Sequence, residues 1–166
     1  IILIPQHHCN FERVTRSVGE IRNVGMVGSV SLMPHFPEIL QSQLAKRNIN
    51  LFNFTCMYSR QDVINFYSTI DLQIIWRPYP KILSNPLKII NAASFGISTI
   101  ALQEPGFAEV EGNYFPADDP GHFLQILDTL INDQVIRQQY SDLCIALAEN
   151  YHIDTIGKLY KQLCTP

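Results

Sequence analysis

Three cations, Arg77, Lys81 and Lys88, stand on either side of the dipeptide Asn85-Pro86. An Asn followed by Pro marks a helix start: the amide side chain caps, and proline takes the first helical position, where its missing N–H costs nothing. The first turn of a helix carries unpaired backbone amides and the positive end of the helix dipole, so cations gathered around it make a place suited to an anion. The alternative is that Arg77 and Lys81 are solvated loop charges. His7-His8-Cys9 is a second group with chemistry in it, and His35 or His122 could add a distant metal ligand. Adjacent residues rarely ligate one ion, so polar contacts at the surface or between domains are the better reading, and no resident metal is expected. The cysteines at 9, 56, 144 and 164 have no CxxC spacing and fall mostly in apolar stretches, which predicts reduced core thiols and a reducing compartment.

Secondary elements must hold these groups in place. Asn23 to Ser29 reads as a short buried strand ending in a glycine turn, followed by a helix with Pro34 and Pro37 near its first turn and Phe36, Leu40 and Leu44 along one face. A second strand is expected over 49–55, and Ser59 is placed to cap a helix presenting Val63, Phe66, Tyr67 and Ile70. The unit repeats: a strand over 71–76, a helix from Asn85-Pro86 to Gly96, a strand over 98–102, a short strand over 112–116, then helices over 120–132, 134–150 and 153–164. Strands alternating with helices require parallel pairing with helices on both faces, a doubly wound α/β sheet in a single domain, with the C-terminal helices packed on the sheet. Ligands in such sheets sit at the carboxyl ends of strands where the strand order reverses. The loops at 28–33, 56–59, 77–85 and 103–109 are therefore the places to look.

The 166 residues are 46% hydrophobic and 16% charged, enough for one core and too apolar for intrinsic disorder. A net charge of -3 gives no basic footprint for a nucleic acid. The charge is uneven: residues 1–90 hold nine Lys/Arg against five Asp/Glu, and residues 91–166 hold three against ten. The basic part suits an anionic small ligand, with chance and solvated helix faces as the plain alternative. No run approaches the ~20 apolar residues of a membrane span, and Ile1 to Pro5 is too short for a signal peptide. Because the chain begins at Ile1, a piece of a longer protein is expected. The dinucleotide glycine fingerprint, the phosphate-binding P-loop and the GxSxG nucleophile elbow are all missing from the sequence.

Residues 85–119, NPLKIINAASFGISTIALQEPGFAEVEGNYFPADD, carry a more specific pattern. Lys88, Ala92, Gly96, Ile100, Gly106, Glu109, Asp118, Asp119 and Pro120 are in register with the helix, strand, glycine loop and acidic-Pro turn of one family. The chain resembles the nucleotide-sugar-binding C-terminal domain of GT-B glycosyltransferases. The likeness extends more loosely from Ile1 to the final helices. It implies a Rossmann-like donor-binding domain over 23–166, with 1–22 as an interdomain segment or edge strand. It further implies part of a hexosyltransferase-type enzyme of carbohydrate biosynthesis, whose substrate is a nucleoside diphosphate sugar and which holds no permanent cofactor. A non-catalytic nucleotide- or partner-binding module of the same fold is the alternative. The acceptor site belongs, on this reading, to an N-terminal domain outside this chain, which leaves the chain incomplete for catalysis and its catalytic residues unknown. A cytoplasmic protein is implied, with peripheral attachment to the inner membrane face through that other domain as a further option.

The resemblance assigns residues to roles. The diphosphate would meet Arg77, Lys81 and Lys88 and the backbone at Gly28, Ser29, Gly106 and Phe107, because donors preorganised around a departing diphosphate stabilise its growing charge. Asn91 and Glu109 would meet ribose or sugar hydroxyls. Tyr58 and Ser59 would flank the base. Two departures stand out: the family's paired glutamates would fall at Leu83 and Asn91, and the Arg and Lys that usually follow the first strand are missing from Ser29 to Pro34.

Overall fold

Alternation of side chains along one short strand sets the layers. In β1 (Asn23–Val27), Val24 and Met26 point to one face, while Gly25 and Val27 point to the other. Gly25 is there because a Cβ would lie 2.6 Å from the Ile70 and Phe66 side chains, so the helix behind it can approach only a bare backbone. The computed structural model describes residues 3–55, 58–77 and 84–163, with Leu32 and Met33 described in their backbone only.

Five parallel strands follow the order β2-β1-β3-β4-β5, with β2 Asn50–Phe54, β3 Leu72–Ile75, β4 Thr99–Leu102 and β5 Phe115–Ala117. The doubly wound sheet expected from the alternation is the sheet found. On one face, Val24, Met26, Leu72, Ile74 and Ile100 meet Leu40 and Leu44 of α1 (Glu38–Lys46) and Phe123, Leu127 and Leu130 of α4 (Pro120–Asn132). Each such fully buried side chain contributes roughly 1.5–3 kcal/mol of hydrophobic stabilisation. The other face carries α2 (Arg60–Thr69) and α3 (Leu87–Ser94). Outside α3 lies α5 (Gln134–Glu149), let in close by Ala93 against Cys144 and Ala148. Burial pushes the Cys144 thiol up to about 12 and the half-buried Cys9 thiol up to about 11.

Two boundaries differ from expectation for a shared reason. The first helix does not run on from the strand with both prolines in its first turn. Val30–His35, with Pro34 inside, forms a 3-10 helix, and α1 begins only at Glu38 with Pro37 as its N-cap. Proline lacks the N–H that a continuous helix would need there. Likewise α3 starts at Leu87 with Pro86 as N-cap, one residue later than the cap reading placed it. Asn85 nevertheless accepts the Leu87 backbone N–H at 3.3 Å, so its capping chemistry is retained. At the other end Gly96 has φ +73, which suits glycine, and Ile97 N donates to Ala92 O at 3.1 Å. The short strand expected over 112–116 lies slightly later, at Phe115–Ala117.

Residues 3–22 form neither helix nor strand and cross the outer face as a strap. Asn10, fully buried, donates to Val14 O and Ser94 O, both at 2.7 Å, while Arg16 N donates to Phe95 O and His8 N to Tyr151 O, each at 3.0 Å. Beyond α5 the chain ends in α6 (Ile153–Leu163). Arg13 joins strap to helices by ion pairs with Glu149 at 2.9 Å and Asp154 at 3.4 Å. These are half-exposed, so they guide position more than they stabilise. No helix among the described residues is long and apolar enough to cross a membrane.

Candidate functional site

The strand order reverses between β1 and β3, and a crevice opens at their carboxyl ends. Its walls include Val27, Gly28, Ile75, Trp76, Arg77 and Lys88, and its volume is about 10 Å³, room for a single water. Lys88 reaches it from the first turn of α3 and donates from Nζ to Val27 O at 2.7 Å. Arg77, two residues after β3, donates from Nη1 to Glu104 Oε2 at 3.2 Å; the Glu104 side chain is buried and that of Arg77 is largely so, at 11% exposed. Two of the three expected cations therefore meet beside Gly28, each engaged with an acceptor of the chain itself. Lys81 and Leu83 lie outside the described residues.

A polar network inside the sheet sets the height of α3. Gln73, fully buried in β3, donates to Lys88 O and to Thr99 Oγ1 at 3.0 Å each and accepts from the Tyr67 hydroxyl at 2.9 Å. A buried glutamine is tolerable only with its hydrogen bonds made, and here they anchor the turn that carries the Lys88 ammonium. Burial raises the Tyr67 phenol far above its ordinary range, so it stays a donor.

The remaining predicted site residues are dispersed. Asn91 Oδ1 accepts the Cys9 backbone N–H at 2.9 Å, fixing the strap to α3. Glu109 lines a separate recess of about 370 Å³ with Asn85, Pro86, Gln6 and Tyr151, on the far side of the α3 start. Phe107 is in the core, edge-on to Tyr114 at 5.7 Å, and its N–H already donates to Glu104 O at 2.9 Å. Its side chain and its amide are thus both engaged within the chain. Gly106 lies in the 3-10 helix Pro105–Val110, where a Cβ would meet Ser84 O at 1.8 Å, so the glycine permits backbone-to-backbone contact with the loop before α3. Ser59 caps α2 in a reciprocal box with Asp62: Ser59 N donates to Asp62 Oδ2 at 2.8 Å and Asp62 N to Ser59 Oγ at 3.2 Å. Tyr58 beside it is 90% exposed. Ser29 Oγ lies 2.8 Å from Ser31 Oγ.

Sequence reasoning passed over Glu104, the N-cap residue of the 3-10 helix after β4. Its side chain does not cap, is 1% exposed, and leaves Oε1 without a donor among the described residues. Such an orphan costs about 1–3 kcal/mol. The available signal was an acidic residue two positions after a buried strand. Among the described residues, no three His, Cys, Asp or Glu side chains converge on a point where a metal ion would fit.

No family model matches the chain, and no curated protein matches it. Solved structures do. A complex of HepE from Anabaena with UDP and glucose superposes with TM-score 0.69 at 16% identity, covering 96% of this chain and 54% of that one. A glycosyltransferase from Rickettsia africae gives 0.65 at 15%, covering 98% and 55%. The GtfA/B complex gives 0.66 at 11%, covering 95% and 38%. The chain thus spans only about two-fifths to just over half the length of these structures. At such identities the likeness is one of fold, a Rossmann-like α/β fold that this chain shares with part of each of these structures.

Proposed function

We propose that the chain is the donor-binding part of a glycosyltransferase and takes a nucleoside diphosphate sugar at the carboxyl edge of its sheet. The observation that carries this reading is the meeting of Arg77 and Lys88 beside Gly28 at the point where the strand order reverses. Cations fixed there before the sugar leaves would stabilise the charge that grows on the diphosphate. The amides of Ser29 and Gly106 would assist, with Gly28, whose own N–H is held by Phe54 O at 3.2 Å, giving the diphosphate room at the backbone; Glu109 and Asn91 would receive hydroxyls of sugar or ribose, and Tyr58 would stack on the base. Ser59 would act there by holding the start of α2. Lys88 must exchange Val27 O for phosphate, and Arg77 must share itself with Glu104. Acceptor binding and turnover would need a further domain, so this chain alone should transfer sugar poorly.

The same two internal contacts favour a second reading, a non-catalytic module whose cations have become structural. A thermal-shift panel of UDP, GDP, ADP, TDP and CMP with their sugars separates the two. Selective stabilisation by one diphosphate, lost in Lys88→Ala, supports donor binding. No stabilisation by any member supports the module.

A further inference from the structure

The two edges of the sheet are built differently. Natural edges are kept from pairing with other strands by proline, charge, bulges or shortness. β5 is closed in this way: it is three residues long, has Pro116 at its centre and runs into Asp118 and Asp119. β2, with the sequence Asn-Leu-Phe-Asn-Phe, has none of these devices. Its five residues carry no charge and no proline, and they pair with β1 in unbroken register from Asn50 to Phe54.

The free hydrogen-bonding groups of β2 follow from its bonds to β1. Asn50 N donates to Arg22 O at 2.8 Å, and Phe54 O accepts from Gly28 N at 3.2 Å. A parallel strand turns alternate residues to each side, so Asn50, Phe52 and Phe54 bond β1, and the N–H and C=O of Leu51 and Asn53 point outward. Among the described residues, nothing bonds these outward groups. Phe52 is 39% exposed, on the face where Phe54 stacks on Phe66 at 4.7 Å.

We propose that β2 pairs antiparallel with β2 of a second copy of this chain, about a two-fold axis through Phe52, joining the two sheets into one. In that register Leu51 and Asn53 of each copy exchange both bonds with Asn53 and Leu51 of the other, so every outward group on the strand is met. Phe52 faces Phe52 of the second copy at the non-hydrogen-bonded position, where side chains come closest and aromatic pairs stabilise. Centring the axis on Leu51 instead would set Asn53 against Ile49, whose N–H is already given to Leu44 O at 3.0 Å. The same axis lays the two α1 helices antiparallel, so the exposed Glu38 in the first turn comes to the end that carries the exposed Lys46 of the other copy. The contact is isologous and closes at two copies, leaving only the proline-guarded β5 edges outside. Four backbone bonds and one aromatic pair make a small interface, so a dissociation constant of roughly 10–100 μM is expected. The pairing stands whether or not the crevice binds a nucleotide.

The test is analytical ultracentrifugation of the chain from about 10 μM to about 1 mM, with amide hydrogen exchange at both ends of that range. A concentration-dependent dimer is expected. Exchange at Leu51 and Asn53 should slow several-fold as it forms, while Phe52, whose N–H is bonded to β1 in either state, should not change. This arm uses the unaltered chain and does not depend on any variant folding. Phe52→Lys and Phe52→Glu should each weaken the dimer at least about tenfold, because like charges then meet on the axis. An equimolar mixture of the two variants should recover it, since lysine then faces glutamate. A chain monomeric throughout the range, exchange at Leu51 and Asn53 that does not vary with concentration, or a dimer indifferent to both substitutions would overturn the proposal.

Discussion

Two neighbouring hollows share the Arg77–Glu104 pair and differ in what they leave unsatisfied. In the crevice between β1 and β3, the Lys88 ammonium is bonded to Val27 O and Arg77 to Glu104. Just after β4, one oxygen of the Glu104 carboxylate, closed off from solvent, has no donor among the described residues. The crevice is small and internally neutralised; the recess whose walls include Gln103, Glu104, Glu111 and Asp118 is roomy and acidic. Positive side chains at a strand edge are thus no proof of an open anion site. A ligand there must compete with the chain's own acceptors.

The pair itself is the sharpest place to break this comparison. Arg77→Ala would strand a buried carboxylate and should cost about 3–5 kcal/mol in urea unfolding, whereas the double replacement Arg77→Met with Glu104→Leu, which leaves no charge unpaired, should cost far less. Equal small losses would mean that both groups are hydrated and that the contrast between the hollows is false.

The strap gives the next largest effect and should leave the crevice untouched. Burial, with the neighbouring His152 second, lowers His8 to about 4 from an ordinary 6.5. The unfolded chain therefore takes up this proton more readily than the folded one. The neutral form's stabilisation is fully present above about pH 6.5 and is lost as pH falls towards 4, by about 3 kcal/mol in all. Chemical unfolding across that interval should show the slope, and His8→Asn should flatten it. A slope that persists in the variant would assign the proton elsewhere.

Gly106→Ala probes the close contact between the 3-10 helix after β4 and the loop before α3. The new methyl would enter the space of Ser84 O, so the loop before α3 must shift, at about 1–3 kcal/mol by thermal or urea unfolding. A neutral result would show that this loop yields freely. The smallest effect is expected at α2: Ser59→Ala removes a cap worth about 1 kcal/mol and should not alter the ranking of nucleotides in the panel. A changed ranking would restore Ser59 to the base pocket itself.

Local chemistry made much of this legible in the sequence. Ser59 as a cap, Gly96 past the end of α3, and the helix over 120–132 follow from residue types whose preferences act over a few positions. Pro34 and Pro37 misled because a helix face was read across them, while the chain spent Val30–His35 in a 3-10 helix first. Of the candidate site, the nearness of Arg77 and Lys88 was readable from the strand–loop–helix order. That Lys88 bonds Val27 O and that Asn91 bonds Cys9 N was not, because those partners are 61 and 82 residues away. Glu104 escaped notice because an acid before Pro-Gly looks like an exposed turn, and only the packing of the 3-10 helix buries it.

The central claim is that the β1–β3 crevice opens to a nucleoside diphosphate. It is tested most directly by titrating the labelled chain with the diphosphate that best stabilises it and mapping the amide shifts residue by residue. The account predicts saturable shifts at Gly28, Ser29, Arg77 and Lys88, abolished in Lys88→Ala. Shifts confined to the recess of Gln6, Glu109 and Tyr151, or an unchanged pattern in that variant, would contradict it.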